Sequence, residues 1–420
     1  MPLAKKATLI VKNIGQLITM SGPAPRLGEW MKNLGLIETG AVAIAGEEVL
    51  AVGKSEDVEG HVDLAEGCQV IDARRGVVTP GLIDPHTHPV FSKTRENEFE
   101  MRIQGKTYME IANAGGGIRA SVRDLRTTDR EELMLKTKER LNALLSFGIT
   151  TIEAKSGYGL STESEIKSLE VIRDLSETHP IDLIPTFLGA HEVPDEYRDK
   201  RTAYIRLLVE EMIPKVAKEK LAEFCDIFCE EGVFSIEESR TIMSAAQSHG
   251  FKLKFHADEL TSSGGAELAA AMGAVSADHI VYASDAGIRA MAASGTVAVL
   301  LPGTCFSLNS GHYARARDMI NAGVAVALST DCNPGSSFTE SLPMMVTLAA
   351  LNYRMTAAES ISAITVNAAC AIDRGGKIGQ LIPGLPGDLV IWKMHDYREL
   401  PYHYGVNLVK NVIKKGKVVI

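Results

Sequence analysis

No stretch of the 420-residue chain is long and apolar enough to cross a bilayer as a helix. The opening Met1-Pro2-Leu3-Ala4-Lys5-Lys6 is followed by neither a long apolar segment nor a small-residue cleavage site, so the cytoplasm is the expected compartment. Basic runs and aromatic-interleaved basic patches are missing too. With a formal net charge of -9, non-specific nucleic-acid binding is excluded. The six cysteines are scattered; Cys225 and Cys229 have the wrong spacing for a zinc knuckle, and reduced, buried thiols are expected. No Gly-x-Gly-x-x-Gly follows a strand-like run, which counts against a doubly wound dinucleotide-binding sheet.

What is present is an ordinary globular composition, 45% apolar and 23% charged, in a chain long enough for one large barrel plus a smaller unit. Both ends are rich in short β segments: Ala7 to Lys12, Ala41 to Ala45, Val49 to Val52 and Gln69 to Asp72, then Leu389 to Trp392 and Val418 to Ile420. Neither end has enough apolar surface for a core of its own. Residues 1–77 and 376–420 are therefore expected to form one small β-sandwich-like domain, with residues 78–375 inserted between them.

That middle part alternates. Apolar runs begin near Val77, Gly148, Ile181, Phe224, Phe251, Ala274, Thr296 and Val324, eight in all, with helix signals between most of them. Thr128 with Glu131 and Ser235 with Glu238 read as capping boxes, and Gly148 and Gly250 as helix stops. Eight strand–helix repeats predict a parallel (β/α)8 TIM barrel. Residues 89–127 lengthen the connection after the first strand, as lids and substrate loops do.

The chemistry-bearing residues stand at the downstream ends of these runs. His86 and His88, at i and i+2 on an extended segment, point the same way and can reach one ion. His256 closes the fifth run, and Glu259 follows at the expected start of the next helix. One of that pair can hold a metal while the other moves protons. Asp331 follows the eighth run and can both ligate and accept a proton. With three histidines and Asp331 as a four-ligand set, His279 is left to support the ligands from behind or to polarise substrate. Arg95, Tyr158, His191, Asn333, Gly335 and Ser336 share the same strand-end location and are candidate substrate contacts. Each of these residues also has a bland reading as a turn, cap or core residue; their common location favours a pocket.

Taken together, Pro80-Gly81-Leu82-Ile83-Asp84-Pro85-His86-Thr87-His88, Gly115-Gly116-Gly117, Glu153 to Gly159, Phe255 to Glu259, Ser329 to Gly335 and Pro383 to Leu389 resemble the amidohydrolase superfamily. The resemblance runs end to end and is nearest to the branch that opens the imidazolone ring in histidine degradation. It implies hydrolysis of 4-imidazolone-5-propanoate to N-formimino-L-glutamate with one Zn or Fe ion per chain, and the expected assembly is a homodimer. It also implies metal ligation by His86, His88, His256 and Asp331, proton transfer by Glu259, His279 and Asp331, and substrate contact by Glu259 with the six pocket residues. Relatives with two metals use a strand-four lysine. Here the fourth run ends Phe228-Cys229-Glu230-Glu231, and Lys155 ends the second run instead, which favours one metal. The rival readings are a one-metal aminohydrolase acting on a purine, pyrimidine or triazine, and a barrel without catalysis.

Overall fold

The computed structural model describes residues 5–106, 110–111 and 115–420. Eight parallel strands follow one another in sequence order around a barrel: β1 (Leu82–Asp84), β2 (Ile149–Lys155), β3 (Asp182–Ala190), β4 (Phe224–Cys229), β5 (Lys252–Ala257), β6 (Ser276–His279), β7 (Val297–Leu300) and β8 (Val326–Leu328). Helices cover the outside, so both faces of each strand are buried.

The two faces of each strand sort by parity. Ile152 and Ala154 of β2, Cys225 and Ile227 of β4, and Leu253, Phe255 and Ala257 of β5 pack outward into the helix-covered core. The alternate positions face the barrel axis and form layers. At the N-terminal end Ile83, Ile184, Phe224, Val297, Val299 and Ala327 make an apolar floor, closed by Ala368 and Ala369 of the helix Val366–Ala371. Above it sit Glu153, Lys155, Asp226, Lys254 and Asp278, all fully buried. The histidines crown the stack.

No backbone ladder joins β8 to β1, and the seam is closed by a side chain. The Asp84 carboxylate accepts from Ser329 Oγ, from Thr330 N at 3.1 Å and from Thr330 Oγ1 at 2.6 Å. Beyond it, His88 N donates to Cys332 O at 3.0 Å. Burial pushes the Asp84 carboxyl up to about 6, against the pull of the Ser329 and Thr330 hydrogen bonds.

Three local expectations need correction. The run at Val77 is two strands: Val77–Pro80 pairs with Ala7–Ile18 and with Leu389–Trp392 in the terminal sheet, and the barrel starts only at Leu82. Pro80 cannot donate to a ladder, and Gly81 passes so close to Thr150 that an added Cβ would lie 2.3 Å from its Oγ1. The chain therefore switches sheets there. The helix Arg130–Ser146 is capped by Asp129, whose side chain accepts from Glu132 N, because Thr128 Oγ1 is occupied by Asp124 O and Ser92 Oγ. The Ser235–Glu238 capping box is present as read. Glu259 lies in a loop, since the next helix begins at Gly265; Asp258 takes the capping role by accepting from the N–H groups of Ser263, Gly264, Gly265 and Ala266.

The terminal unit is one curled sheet. Ala7–Ile18 pairs with Leu36–Ala45 on one side and with Leu64–Asp72 and Val77–Pro80 on the other, and Leu389–Trp392 continues it to Val409–Lys414. Val49 N to Leu385 O and Gly387 N to Glu47 O tie its two ends together around Leu9, Ile14, Val42, Ile44, Leu389 and Ile413. Strands from both ends of the chain thus share one core.

Asp84→Ala should destabilise the metal-free protein by roughly 3–9 kcal/mol, since three buried donors at about 1–3 kcal/mol each lose their acceptor. Asp84→Asn keeps one acceptor oxygen and should cost clearly less. Equal melting temperatures for the two variants would show that the seam does not depend on this carboxylate.

Candidate metal centre and its pocket

The strand ends turn sharply. Asp258, His279 and Asp331 have φ of 48°, 69° and 52°, left-handed values that cost energy in non-glycine residues and gather at functional sites. These turns aim His279 and Asp331 over the barrel mouth, toward the histidines of β1 and β5.

There the donors converge. His86 Nε2 lies 3.2 Å from His88 Nε2, and His88 Nε2 lies 3.4 Å from His256 Nε2. Asp331 Oδ1 lies 3.5 Å from His86 Nε2 and 3.6 Å from His88 Nε2. All four residues are buried. A tetrahedral zinc ion at ~2.05 Å from each nitrogen would need ligand atoms about 3.3 Å apart, close to the spacing of these four pairs. His86, His88 and Asp331 form one close group, and His86, His256 and His279 form another. Burial, reinforced by neighbouring cationic groups, holds His86 and His88 well below the ordinary histidine value, so both are neutral and present lone pairs. With Asp278 behind Nδ1 of His86, its Nε2 carries the lone pair and can face a cation. The residues fit a metal ion.

Two of the three histidines have a carboxylate behind them, while His88 Nδ1 is buried without a hydrogen-bond partner. Asp278 Oδ2 lies 2.6 Å from His86 Nδ1, and Asp226 Oδ2 lies 3.0 Å from His256 Nδ1. Thr304 Oγ1 donates to Asp331 Oδ2 at 2.6 Å, leaving Oδ1 toward the histidines. Burial pushes the Asp331 carboxyl up to about 6, although Thr304 and His256 pull it down. Burial also disfavours a charged Asp226, but Lys155 and His256 hold it well below the carboxylate range.

Glu259 and His279 stand beside the cluster, His279 Nε2 3.6 Å from Glu259 Oε2. Burial, with the Asp331 charge adding to it, pushes the Glu259 carboxyl up to about 8. His279 is pushed well below its ordinary value, by burial first and by His256 second. A protonated carboxyl next to a neutral imidazole can pass a proton in either direction.

The remaining expected residues line the approach. His191 stacks on His88 with ring centres 5.1 Å apart and donates from Nδ1 to Gly157 O at 2.9 Å. Tyr158 lies 5.3 Å from the His191 ring and 5.9 Å from the His88 ring. Arg95 is paired with Glu98 at 2.8 Å, while its buried Nε has no partner. Its Nη1 lies flat on Gly335, where an added Cβ would come within 2.3 Å of it. Ser336 Oγ is 3.5 Å from Asp331 Oδ2. Asn333 uses its amide within its own loop, donating to Asp331 O and Ser336 Oγ and accepting from the N–H groups of Gly335 and Ser336. It shapes the turn that carries Gly335 and Ser336.

The sequence reading missed the supports: Asp278, Asp226, Lys155, Lys254 and Glu153 under the cluster, and a buried carboxylate behind three of the loops. Glu165 accepts from the backbone of Gly157, Gly159 and Leu160, beside Tyr158. Glu230 holds Leu260 N and Thr261 Oγ1, next to Glu259, and Glu98 holds Gly117 N. For the layer under the cluster, the available signal was a charged residue inside the otherwise apolar strands β2, β4, β5 and β6.

The Glu259 environment predicts a pH-dependent stability. With its pKa raised to about 8, the folded chain keeps a proton that the unfolded chain releases above about 4.3. Its contribution to stability is therefore present at low pH and lost as pH rises through about 8. Glu259→Gln cannot ionise, so the melting temperature of the metal-free variant should gain on that of the parent between about pH 5 and 8. A constant difference across that window would contradict a buried, protonated Glu259.

The amidohydrolase family profile matches residues 77–419. An imidazolonepropionase from Geobacillus sp. (strain WCH70) is 50% identical over 416 residues, 98% of each chain. One from Clostridium tetani is 48% identical over 99% of each chain. Among solved structures, an adenosine deaminase from Xanthomonas campestris with bound zinc superposes with a TM-score of 0.68 at 17% identity, covering 99% of this chain and 93% of that one. A zinc-complexed atrazine chlorohydrolase from Arthrobacter aurescens gives 0.66 at 16% identity, covering 98% and 95%. At such identities the structures speak for the fold alone, whereas the sequence matches reach further. The chain belongs to the amidohydrolase family, and within it to the imidazolonepropionases.

Proposed function

We propose that the chain hydrolyses the ring C–N bond of 4-imidazolone-5-propanoate, giving N-formimino-L-glutamate in histidine degradation, with His86, His88, His256 and Asp331 holding one zinc or iron ion. The observation that carries this reading is the clustering of buried histidines with Asp331 at the barrel mouth, in a chain whose Geobacillus and Clostridium relatives, matched over nearly its whole length, are imidazolonepropionases. An ion held there would supply an acidified water and a Lewis acid for the ring carbonyl.

The chain's own groups do the rest. Water adds its oxygen to the ring carbonyl carbon, the C–N bond breaks, and a proton must travel from the water to the departing nitrogen. Glu259 is placed for that transfer, and the neutral His279 beside it for donation to the carbonyl oxygen. Tyr158, His191 and Ser336 would flank the ring, with Asn333 shaping the Gly335–Ser336 turn. Arg95 would take the propionate on its free donors, because its Nε lacks a partner. A purine, pyrimidine or triazine deaminase would have no carboxylate to place there. The reading extends to a homodimer in the cytoplasm, with Leu351, Tyr402 and Tyr404, exposed by 74%, 83% and 69%, as apolar surface for a second copy.

Loss of imidazolone ultraviolet absorbance tests the activity: turnover should vanish with a chelator and return with zinc or iron. Turnover unaffected by complete metal removal would contradict the reading. Arg95→Met should lower kcat/KM roughly 10- to 150-fold, the loss of one charge-assisted hydrogen bond, and should hardly affect an imidazolone lacking the carboxylate. Gly335→Ala, which pushes a methyl group into the guanidinium, should raise KM in the same selective way. Equal losses on both substrates would show that Arg95 supports the loop and does not read the propionate.

A further inference from the structure

Five charged side chains, Glu153, Lys155, Asp226, Lys254 and Asp278, lie fully buried in the barrel layer just beneath the histidines. Lys155, at the end of β2, connects them. Its Nζ is 2.7 Å from Glu153 Oε1, 2.7 Å from Asp226 Oδ2 and 3.8 Å from Asp278 Oδ2. The same Oδ2 of Asp226 faces His256 Nδ1 at 3.0 Å, and the same Oδ2 of Asp278 faces His86 Nδ1 at 2.6 Å. One ammonium therefore hydrogen-bonds the Asp226 oxygen behind His256 and lies within ion-pair distance of the Asp278 oxygen behind His86, while Ser276 Oγ donates to the other Asp278 oxygen at 2.6 Å.

Lys254 is built differently. It lies 3.2 Å from Glu153 Oε2 and 3.8 Å from Asp278 Oδ2, but donates to the carbonyls of Pro85 at 2.8 Å and Ala371 at 3.3 Å. It ties the turn before His86 to the floor helix. Lys155 has no carbonyl partner; its hydrogen bonds go only to Glu153 and Asp226.

We propose that Lys155 is a positioning residue that sets the metal affinity of the site, by fixing Asp226 and Asp278 against the Nδ1 atoms of His256 and His86. This rests on the ligand assignment under Proposed function. An imidazole whose Nδ1–H is held by a carboxylate is locked in orientation and in the tautomer whose Nε2 lone pair faces the ion. Without Lys155, the three carboxylates of Glu153, Asp226 and Asp278 share one remaining ammonium, repel one another and lose their register. Two opposed effects follow from removing the lysine. Taking away a positive charge near a cation strengthens attraction, while loosening two ligands weakens binding. Partners that orient metal-bound histidines are typically worth about 10- to 100-fold in affinity, and the positioning effect is the larger here because Lys155 reaches two ligands at once.

The test is zinc affinity, measured by competition with a chromogenic chelator on metal-free protein, alongside the melting temperature of the same metal-free samples. Lys155→Met should bind zinc roughly 10- to 100-fold more weakly. Adding Asp226→Asn to it should weaken binding less than Asp226→Asn does alone in the parent. Lys254→Met should lower the melting temperature with a much smaller change in affinity. If Lys155→Met does not fold, Lys155→Met with Glu153→Gln, which removes one charge of each sign, carries the same comparison. Unchanged or tighter zinc binding in the folded variant would overturn the proposal, leaving Lys155 a role in stability alone. A parent protein that binds no zinc or iron would remove the ligand assignment itself.

Discussion

Asp278 Oδ2 and His86 Nδ1 meet at 2.6 Å in a place with no solvent, and the geometry of the barrel mouth descends from that contact and its counterpart between Asp226 and His256. A buried imidazole left alone would rotate or protonate. Held from behind by a carboxylate, it keeps one tautomer and one direction. Burying carboxylates at that depth carries a large desolvation penalty, which is offset only if counter-charges lie within contact distance. Lys155 and Lys254 are those counter-charges, and both stand on inward positions of the strands that flank the ligands.

The barrel is consequently stratified along its axis. An apolar floor that includes Phe224 and Val299 closes the lower end, the charged layer lies behind the candidate ligands, and these face a pocket ringed by loops. Three of the loops are pinned by a buried carboxylate: Glu98 near Arg95, Glu165 near Tyr158, Glu230 near Glu259. Pinning by side chains lets short, irregular segments hold a geometry that no ladder of backbone hydrogen bonds supplies. It also explains the absence of helix-start chemistry at Glu259: Asp258 takes the helix, and its neighbour is free to face the pocket.

Much of this was legible in the sequence for a simple reason. Strand ends in a parallel barrel share one face, so His86, His88, His256 and Asp331 could be grouped as candidates from order alone. The supports were not legible by the same rule, because Asp226, Lys254 and Asp278 sit inside strands, where a charge looks like an error in an apolar pattern. Asp278 was further masked by its neighbour His279. The sheet switch at Pro80-Gly81 was hidden because Val77 to Asp84 reads as one run, and only a pairing partner from the far end of the chain divides it. Thr128 failed as a cap because Asp124 and Ser92 compete for its hydroxyl, a tertiary fact. Arg95 could be placed in a loop, but not its pairing with Glu98 or its dependence on the bare Cα of Gly335.

The central claim is that one ion sits among four side chains that the charged layer beneath them holds in place. Anomalous diffraction at the metal edge, from crystals of the metal-loaded protein, addresses it most directly. The account predicts a single peak per chain enclosed by Nε2 of His86, His88 and His256 and by Oδ1 of Asp331, with Glu259 outside the coordination shell. Two peaks, or one peak displaced into the layer between Glu153 and Asp278, would contradict it.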